Sequence, residues 1–165
     1  MAMLVHGVAN PQGETDGYNG LYFTGTELKK LAEDLRTGVT AEVPIKAEHT
    51  GEPIGHVVSG FIGDDSALHC IMKINEASVD GAIAAGLVRD GIAAELSLGY
   101  AVDVHHSDGR YEAAQKTLLE ISLVRKGARQ GCFIYSYDDG QGAVSCRREP
   151  GHGADPAAWY AFDLE

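Results

Sequence analysis

Alternating apolar and polar residues recur along most of the chain and predict a protein built mainly from β-strands. Such alternation is typical of strands that turn one face toward a core and the other toward solvent. Seven segments show it, each bounded by turn residues: 3–9, 41–47, 54–63, 66–74, 92–104, 111–124 and 131–136. Between the fifth and sixth segments, the run HHSDGR at 105–110 is typical of a hairpin turn.

Two segments show helical rather than strand periodicity. Thr24 and Glu27 form a capping box ahead of an apolar stripe, and Gly38 ends the predicted helix. A second helix is predicted over 78–88, with a stripe formed by Val79, Ile83, Leu87 and Val88. Many strands with a few helices outside them predict a mainly β fold (α+β), a closed or nearly closed antiparallel β-barrel wrapped by helices.

The chain divides by composition at about residue 136. Residues 1–136 carry the strand and helix signals and form the predicted barrel domain. Residues 137–165 are rich in Gly, Pro and charge, so we expect a loop or tail that belongs to the same domain, with a mobile stretch over 138–156. Asp155 and Pro156 are suited to begin a short last helix that includes Trp159 and Phe162.

Three polar residues interrupt segments that are otherwise apolar: His49, Ser97 and Glu120. Strand alternation places Leu96 and Leu98 on one face and Ser97 on the other, away from the core. The same alternation turns Glu120 and Ser122 to a polar side. His49 follows an apolar segment and precedes turn residues at 50–53, so we expect it at a strand end.

A hydroxyl, an imidazole and a carboxylate are the nucleophile, base and orienting acid of hydrolytic acyl transfer. If the strands that carry Ser97 and Glu120 are neighbours, the two side chains lie on one surface. Gly99 has no side chain and lies on the Ser97 face, which favours close approach of another backbone. We therefore expect Gly99 to line a groove for a substrate peptide.

The same residues carry a family resemblance. HTGEPIGHV resembles the His segment of tailed-phage prohead proteases, LSLGY their Ser segment and LLEISLV their acidic segment, in the same order. The segment GARQG at 127–131 resembles the Gly-Arg-Arg-Arg-Gly segment of herpesvirus assemblins, the related capsid maturation proteases. The resemblance covers about residues 4–135.

This resemblance implies an assemblin-like barrel and a serine protease. Ser97 would be the nucleophile, His49 the general base and Glu120 the acid that orients the base. The backbone amide of Ala128 and the side chain of Arg129 would form the oxyanion hole. Assemblins usually have a second His where this chain has Glu120, so the third residue of the expected triad follows the phage type. The Pro-Ala-Asn segment that phage members usually have after the acidic strand is missing. Ala128 stands where assemblins have the first of two arginines, which weakens the expected oxyanion hole.

The resemblance also implies a biological setting. The expected substrates are the internal scaffold of a viral procapsid and the precursor of the protease itself, cleaved after a small residue. The expected location is the procapsid in an infected cell, in the nucleus for a herpesvirus-like system and in the cytoplasm for a phage-like one. A homodimer is implied, formed through the helix at 78–88 or the C-terminal segment.

Composition limits the number of domains and the classes of partner that we expect. The chain has 165 residues, 44% of them hydrophobic, enough for one domain with its own core. With 13 Lys and Arg against 24 Asp and Glu, the formal charge of −11 argues against nucleic acid as a direct partner. No apolar run reaches the roughly 18 residues of a membrane span, and no secretory leader is evident, so we expect neither membrane insertion nor secretion.

Other readings of the same residues stay open. A structural or scaffold-associated protein that keeps the fold without activity would show the same strands.

His105 and His106, with Asp103 and Asp108, form a polar cluster that a metal-dependent hydrolase could use, although adjacent residues in a strand point to opposite sides. The three cysteines lack paired spacing. Cys70 and Cys132 lie in apolar strands and are most simply small buried residues; a cysteine nucleophile stays possible, although neither has a His in a recognisable partner position. His56 is a rival for the base. We expect no cofactor and no metal.

Overall fold

Strands dominate the structure, a computed structural model that describes residues 2–13, 21–38, 42–127 and 129–146. Its elements in chain order are β1 (Ala2–Asn10), α1 (Gly25–Thr37), β2 (Pro44–Ala47), β3 (Thr50–Ile62), β4 (Leu68–Asn75), α2 (Val79–Arg89), β5 (Glu95–Ser107), β6 (Arg110–Val124), β7 (Phe133–Asp138) and β8 (Ala143–Ser145). All seven predicted strands and both predicted helices are present, with ends that shift by a few residues.

Seven of the described strands close into a barrel. Their order is β1-β4-β3-β2-β6-β5-β7, and β7 pairs again with β1 to complete the ring. β8 adds to the edge of β7. The mainly β fold with a closed barrel and peripheral helices is therefore confirmed. The prediction that the barrel is antiparallel needs one correction, because β2 and β6 run parallel while the other neighbouring pairs among the described strands are antiparallel.

The inward faces of the strands form the core. Val5, Ile45, Met72, Leu96 and Ile121 are all fully buried, and each such side chain contributes about 1.5–3 kcal/mol through its removal from water. The alternation that predicted the strands thus also identified their inward faces.

Gly7 permits the closure between β1 and β7. A Cβ at this position would lie 2.7 Å from both Leu96 Cδ1 and the Phe133 carbonyl oxygen. The two strands can approach this closely only because residue 7 has no side chain.

Helix α1 begins and ends where the sequence predicted. Thr24 Oγ1 accepts from the Glu27 backbone N–H at 3.2 Å, the Glu27 carboxylate accepts from the Thr24 N–H at 3.0 Å, and Gly38 follows in the left-handed conformation with φ of 67°. The helix buries Leu28, Leu31 and Ala32 against the barrel. Within the described residues, no helix has the length and hydrophobicity to cross a membrane.

Helix α2 buries a different face from the predicted one. Val79 and Ile83 are 76% and 59% exposed, so the predicted stripe is wrong for these two residues and correct for Val88. The buried positions are instead mostly small: Gly81, Ala84, Ala85 and Val88. A Cβ at Gly81 would overlap the Asn75 carbonyl oxygen, which shows how closely the helix approaches the end of β4.

Part of the C-terminal region is ordered on the barrel. β8 pairs with β7 through Ser145 opposite Ser136, and the Cys146 N–H donates to the Tyr135 carbonyl at 2.9 Å. The sequence pattern did not predict this strand, which lies within the stretch expected to be mobile. The predicted short helix that starts at Asp155 and Pro156 and includes Trp159 and Phe162 lies outside the described residues.

A histidine on β4 is enclosed in the fold with its partners. His69 is fully buried, its Nε2 donates to Asp65 Oδ1 at 3.0 Å, and its Nδ1 lies 3.3 Å from the Tyr135 hydroxyl. Its ring stacks on Phe61 with centroids 5.0 Å apart. Burial lowers the pKa of His69 below its usual 6.5, and the Asp65 carboxylate opposes this shift.

We expect His69 to make the fold sensitive to acid. Because its pKa is lower in the folded state, the unfolded state binds the extra proton as the pH falls below about 6.5, and stability present above that pH is lost. One such proton contributes at most about 1.4 kcal/mol per pH unit. Urea unfolding of wild type and His69→Gln between about pH 7.5 and 5 should show a shallower pH dependence in the variant. A remainder should persist, because burial also lowers the pKa of His6. Equal pH slopes would contradict the assignment.

Candidate active site

His49 lies in a two-residue turn between β2 and β3. Ala47 and Thr50 pair across the turn, and Glu48 and His49 both have positive φ, at 50° and 60°. Turns of this kind match the twist of a hairpin but are unusual for residues other than Gly, Asn and Asp. His49 is therefore at a strand end, as predicted, although the turn comprises His49 itself and not the residues after it.

The end of β6 holds this turn in place. The Glu48 N–H donates to the Leu123 carbonyl at 3.1 Å, and the His49 N–H donates to Ser122 Oγ at 3.0 Å. The Glu48 carboxylate accepts from the Arg125 N–H at 2.9 Å. Three hydrogen bonds thus fix the backbone at His49 relative to β6.

Ser97 and Glu120 come from neighbouring antiparallel strands. In the β5–β6 register, Ser97 lies opposite Ser122 and Gly99 lies opposite Glu120. Leu96 on the other face of β5 is fully buried in the core. The hydroxyl and the carboxylate consequently lie on one surface outside the barrel core.

The three side chains form a continuous hydrogen-bonded chain. Ser97 Oγ lies 2.8 Å from His49 Nε2, and His49 Nδ1 is hydrogen-bonded to Glu120 Oε1. An ionised carboxylate only accepts, so the imidazole proton belongs on Nδ1 and the free Nε2 accepts from the Ser97 hydroxyl. The structure therefore brings together the three residues that the sequence selected, and their hydrogen bonds fit the tautomer in which the free Nε2 of His49 faces the Ser97 hydroxyl.

Exposure differs along this chain. The side chain of Glu120 is 11% exposed, that of His49 is 42% exposed, and Ser97 is buried. The carboxylate is thus shielded from water, whereas the imidazole forms part of the surface that an incoming molecule meets.

Ser122 also contacts the site, although the sequence did not single it out. Its hydroxyl donates to Glu120 Oε2 at 2.7 Å, and the residue is fully buried. The signal was available in the alternation of β6, which places Ser122 two residues after Glu120 on the same face.

Gly99 makes room for the carboxylate. A Cβ at residue 99 would overlap Glu120 Oε1 and lie 2.8 Å from Cδ. The space beside Gly99 is therefore occupied by the side chain of Glu120, which is a role that the sequence did not predict. The expectation that Gly99 lines a substrate groove stays a prediction.

The segment after β6 returns to β5 beside the site. The Gly127 N–H donates to Glu95 Oε1 at 3.1 Å, and a Cβ at Gly127 would lie 2.7 Å from the Leu96 carbonyl oxygen. Leu96 directly precedes Ser97 in the chain. The segment that carries the predicted oxyanion hole thus runs alongside the strand of the candidate nucleophile.

Arg129 is buried within this segment. Its Nη2 donates to the Tyr100 hydroxyl at 2.7 Å and to the Leu21 carbonyl at 3.3 Å, and the guanidinium lies over the Tyr100 and Phe23 rings. These contacts anchor the segment to β5. Ala128 lies outside the described residues, and the oxyanion roles of Ala128 and Arg129 stay predictions.

The rival residues lie in different surroundings. His56 Nδ1 is 3.3 Å from Glu42 Oε1, a pair separate from the hydrogen-bonded chain of side chains that contains His49.

Burial raises the pKa of the Cys70 thiol to about 12 and that of Cys146 to about 11, so both stay protonated near neutral pH. Among the described residues, no three His, Cys, Asp or Glu side chains are grouped to hold a metal ion. His105 is part of the polar cluster named above, and its side chain is not among those that the structure describes.

Comparisons with known proteins find a likeness to solved structures. No protein-family model matches the chain, and no curated protein matches it. Among solved structures, the chain is similar to a room-temperature crystal structure of Kaposi's sarcoma-associated herpesvirus protease in complex with an allosteric inhibitor. The two are 19% identical, the match covers 82% of this chain and 75% of that one, and the TM-score is 0.49.

Gly99→Ala tests the packing of the carboxylate. The new methyl group requires Glu120 to move, and we expect a loss of about 1–3 kcal/mol in the free energy of unfolding. A crystal structure of the variant should show Oε1 displaced from His49. Gly86→Ala in α2 is the matched control, because a Cβ there meets nothing within 4 Å, and it should stabilise the protein by up to about 1 kcal/mol. A Gly99→Ala protein as stable as wild type, with Glu120 unmoved, would refute the assignment.

Proposed function

We propose that this chain is a serine endopeptidase in which Ser97 is the nucleophile, His49 the general base and Glu120 the acid that orients His49. The observation that carries the proposal is the single chain of hydrogen bonds from the Ser97 hydroxyl through both ring nitrogens of His49 to a shielded carboxylate. A nucleophile bonded to a base that is itself oriented by a third group is the arrangement that acyl transfer requires.

The chemistry follows from this order of groups. His49 Nε2 takes the Ser97 proton as Oγ attacks the scissile carbonyl carbon, and the imidazolium then returns that proton to the leaving amine as the C–N bond breaks. Water, deprotonated by the same nitrogen, cleaves the acyl-enzyme ester and restores the Ser97 hydroxyl. Glu120 accepts the hydrogen bond from the His49 Nδ1–H throughout and stabilises the imidazolium.

The proposed oxyanion donor is the backbone amide of Ala128, assisted by Arg129. Support comes from the resemblance of GARQG to the assemblin segment and from the position of Gly127 beside β5. Because the Arg129 guanidinium already bonds Tyr100, we assign the main role to the amide and a secondary role to Arg129. Removal of one oxyanion donor typically lowers turnover by about 10²–10³-fold.

We further propose that the enzyme acts in viral capsid maturation. The support is the occurrence of HTGEPIGHV, LSLGY and LLEISLV in the order found in prohead proteases. Its substrates would be the internal scaffold protein and its own precursor, cleaved after a small residue such as Ala inside the procapsid of an infected cell. The active form would be a homodimer that uses α2 or the C-terminal segment.

Labelling with a serine-directed fluorophosphonate tests the nucleophile. Wild type should be labelled at Ser97, mapped by mass spectrometry, and Ser97→Ala should not react. Ser136→Ala is a matched control, because Ser136 is also a buried strand serine but bonds His6 on another part of the barrel. Peptide turnover by Ser97→Ala should fall by about 10⁶-fold. An unlabelled wild type would favour a structural protein without activity, and labelling that persists in Ser97→Ala would refute Ser97 as the nucleophile.

Inhibitor treatment separates the other chemical classes. EDTA and iodoacetamide should leave both the labelling rate and the cleavage of a mixed peptide library unchanged, because the proposed mechanism uses neither a metal nor a thiol. The new C-termini produced from the library should end in small residues. Loss of cleavage with EDTA would support a metal-dependent hydrolase, and loss with iodoacetamide a cysteine hydrolase.

A further inference from the structure

We propose that Ser122 is a positioning residue that sets the geometry of both Glu120 and His49. The proposal rests on the proposed function and deepens it, because it extends the site beyond the three predicted residues. Ser122 lies on β6, Glu120 lies two residues before it on the same strand, and His49 reaches both from the β2–β3 turn. A single hydroxyl therefore connects the acid to the backbone of the base.

Hydrogen positions at Ser122 follow from its two partners. The His49 N–H can only donate, so Ser122 Oγ accepts that bond at 3.0 Å. The hydroxyl proton is then directed to Glu120 Oε2, which lies 2.7 Å away. Ser122 is fully buried, so bulk water cannot replace its hydroxyl.

The bond to Glu120 fixes the orientation of the carboxylate. Oε1 accepts from His49 Nδ1, and Oε2 accepts from Ser122. With both oxygens held, the carboxylate plane is set with Oε1 toward the imidazole. Without the Ser122 hydroxyl, the contact of Oε1 with the half-exposed imidazole would be left to orient the carboxylate.

The bond to His49 fixes the turn. A residue other than Gly in the left-handed region costs about 1–2 kcal/mol, so the backbone at His49, with φ of 60°, needs restraint from its surroundings. The hydrogen bond from its N–H to Ser122 is one such restraint, and the bond from Glu48 to Leu123 is another. Ser122 thus holds the imidazole from the backbone side while it holds the acid.

Ser122 is not suited to be the nucleophile itself. Its proton is directed at the carboxylate, and the imidazole Nε2 is bonded to Ser97 instead. Since Ser122 also lies beneath the surface, its loss should affect the chemical step and leave substrate binding unchanged. A misplacement of about 1 Å in such a site can lower rates by about 10²-fold.

Fluorophosphonate labelling and peptide hydrolysis of Ser122 variants test the proposal. Ser122→Ala should react about 10–100-fold more slowly at Ser97 than wild type, with kcat reduced and KM nearly unchanged. Ser122→Cys fills the same space with a weaker hydrogen-bonding group and should also be slow, so it carries the test if the Ala variant fails to fold. Ser122→Thr keeps the hydroxyl and should recover most of the rate. Ser136→Ala should react like wild type.

A double-mutant cycle and NMR distinguish positioning from a general loss of stability. If Ser122 acts through Glu120, Ser122→Ala should cost markedly less in a Glu120→Ala background than in wild type. The proton resonance of the His49 Nδ1–H, identified by its absence in His49→Ala, should shift or broaden in Ser122→Ala but not in Ser136→Ala.

The outcomes separate the two proposals. A wild type that is labelled at Ser97 together with a Ser122→Ala protein of equal rate and unchanged Nδ1–H resonance would overturn the role of Ser122 alone. Equal costs of Ser122→Ala in both backgrounds would overturn the role of Ser122 toward Glu120, because the hydroxyl would then act independently of that carboxylate. A wild type that is never labelled would overturn the proposed function, whatever the resonance shows.

Discussion

The parallel pairing of β2 with β6 is the constraint on which the rest of the site depends. Ile45 pairs with Ile121 and Ala47 with Leu123, and the bond from the Glu48 N–H to the Leu123 carbonyl continues this ladder into the turn. The turn after β2 therefore lies beside the part of β6 that carries Glu120 and Ser122, whose side chains point away from the barrel core. Because β5 lies on the other side of β6, a hydroxyl on β5 and an imidazole in the turn meet over the same carboxylate.

Sequence alternation could identify which faces carry the polar groups but not which strands are neighbours. The period of two placed Ser97, Glu120 and Ser122 outside the core, and the structure agrees. β2 has only four residues and pairs with residues more than seventy positions later in the chain, and nothing in so short a segment specifies such a partner or its parallel direction. The contacts of His49 come from that pairing, so only the family resemblance suggested them.

Two parts of the fold differ from the sequence pattern, each for its own physical reason. Hydrophobic periodicity indicates which face of an element could be buried, but the distance of approach decides which face is buried. α2 comes so close to the end of β4 at Gly81 that only its small residues fit, and Val79 and Ile83 are left outside. β8 has three exposed residues and is defined instead by its backbone pairing with β7, which no hydrophobic pattern reports.

The shielding of Glu120 has opposite consequences in the resting site and during the proposed reaction. A carboxylate removed from water is costly unless hydrogen bonds compensate it, and here one oxygen accepts from His49 and the other from Ser122. When His49 takes the Ser97 proton, a positive charge appears beside a carboxylate that little water screens, so their attraction is strongest at that moment. Interactions that strengthen as charge develops lower the barrier, whereas equal stabilisation of both states does not. The burial of Glu120 behind a half-exposed imidazole therefore stabilises the ion pair of imidazolium and carboxylate more than the resting pair of neutral imidazole and carboxylate. Glu120 can occupy this position only because Gly99 leaves space for its carboxylate.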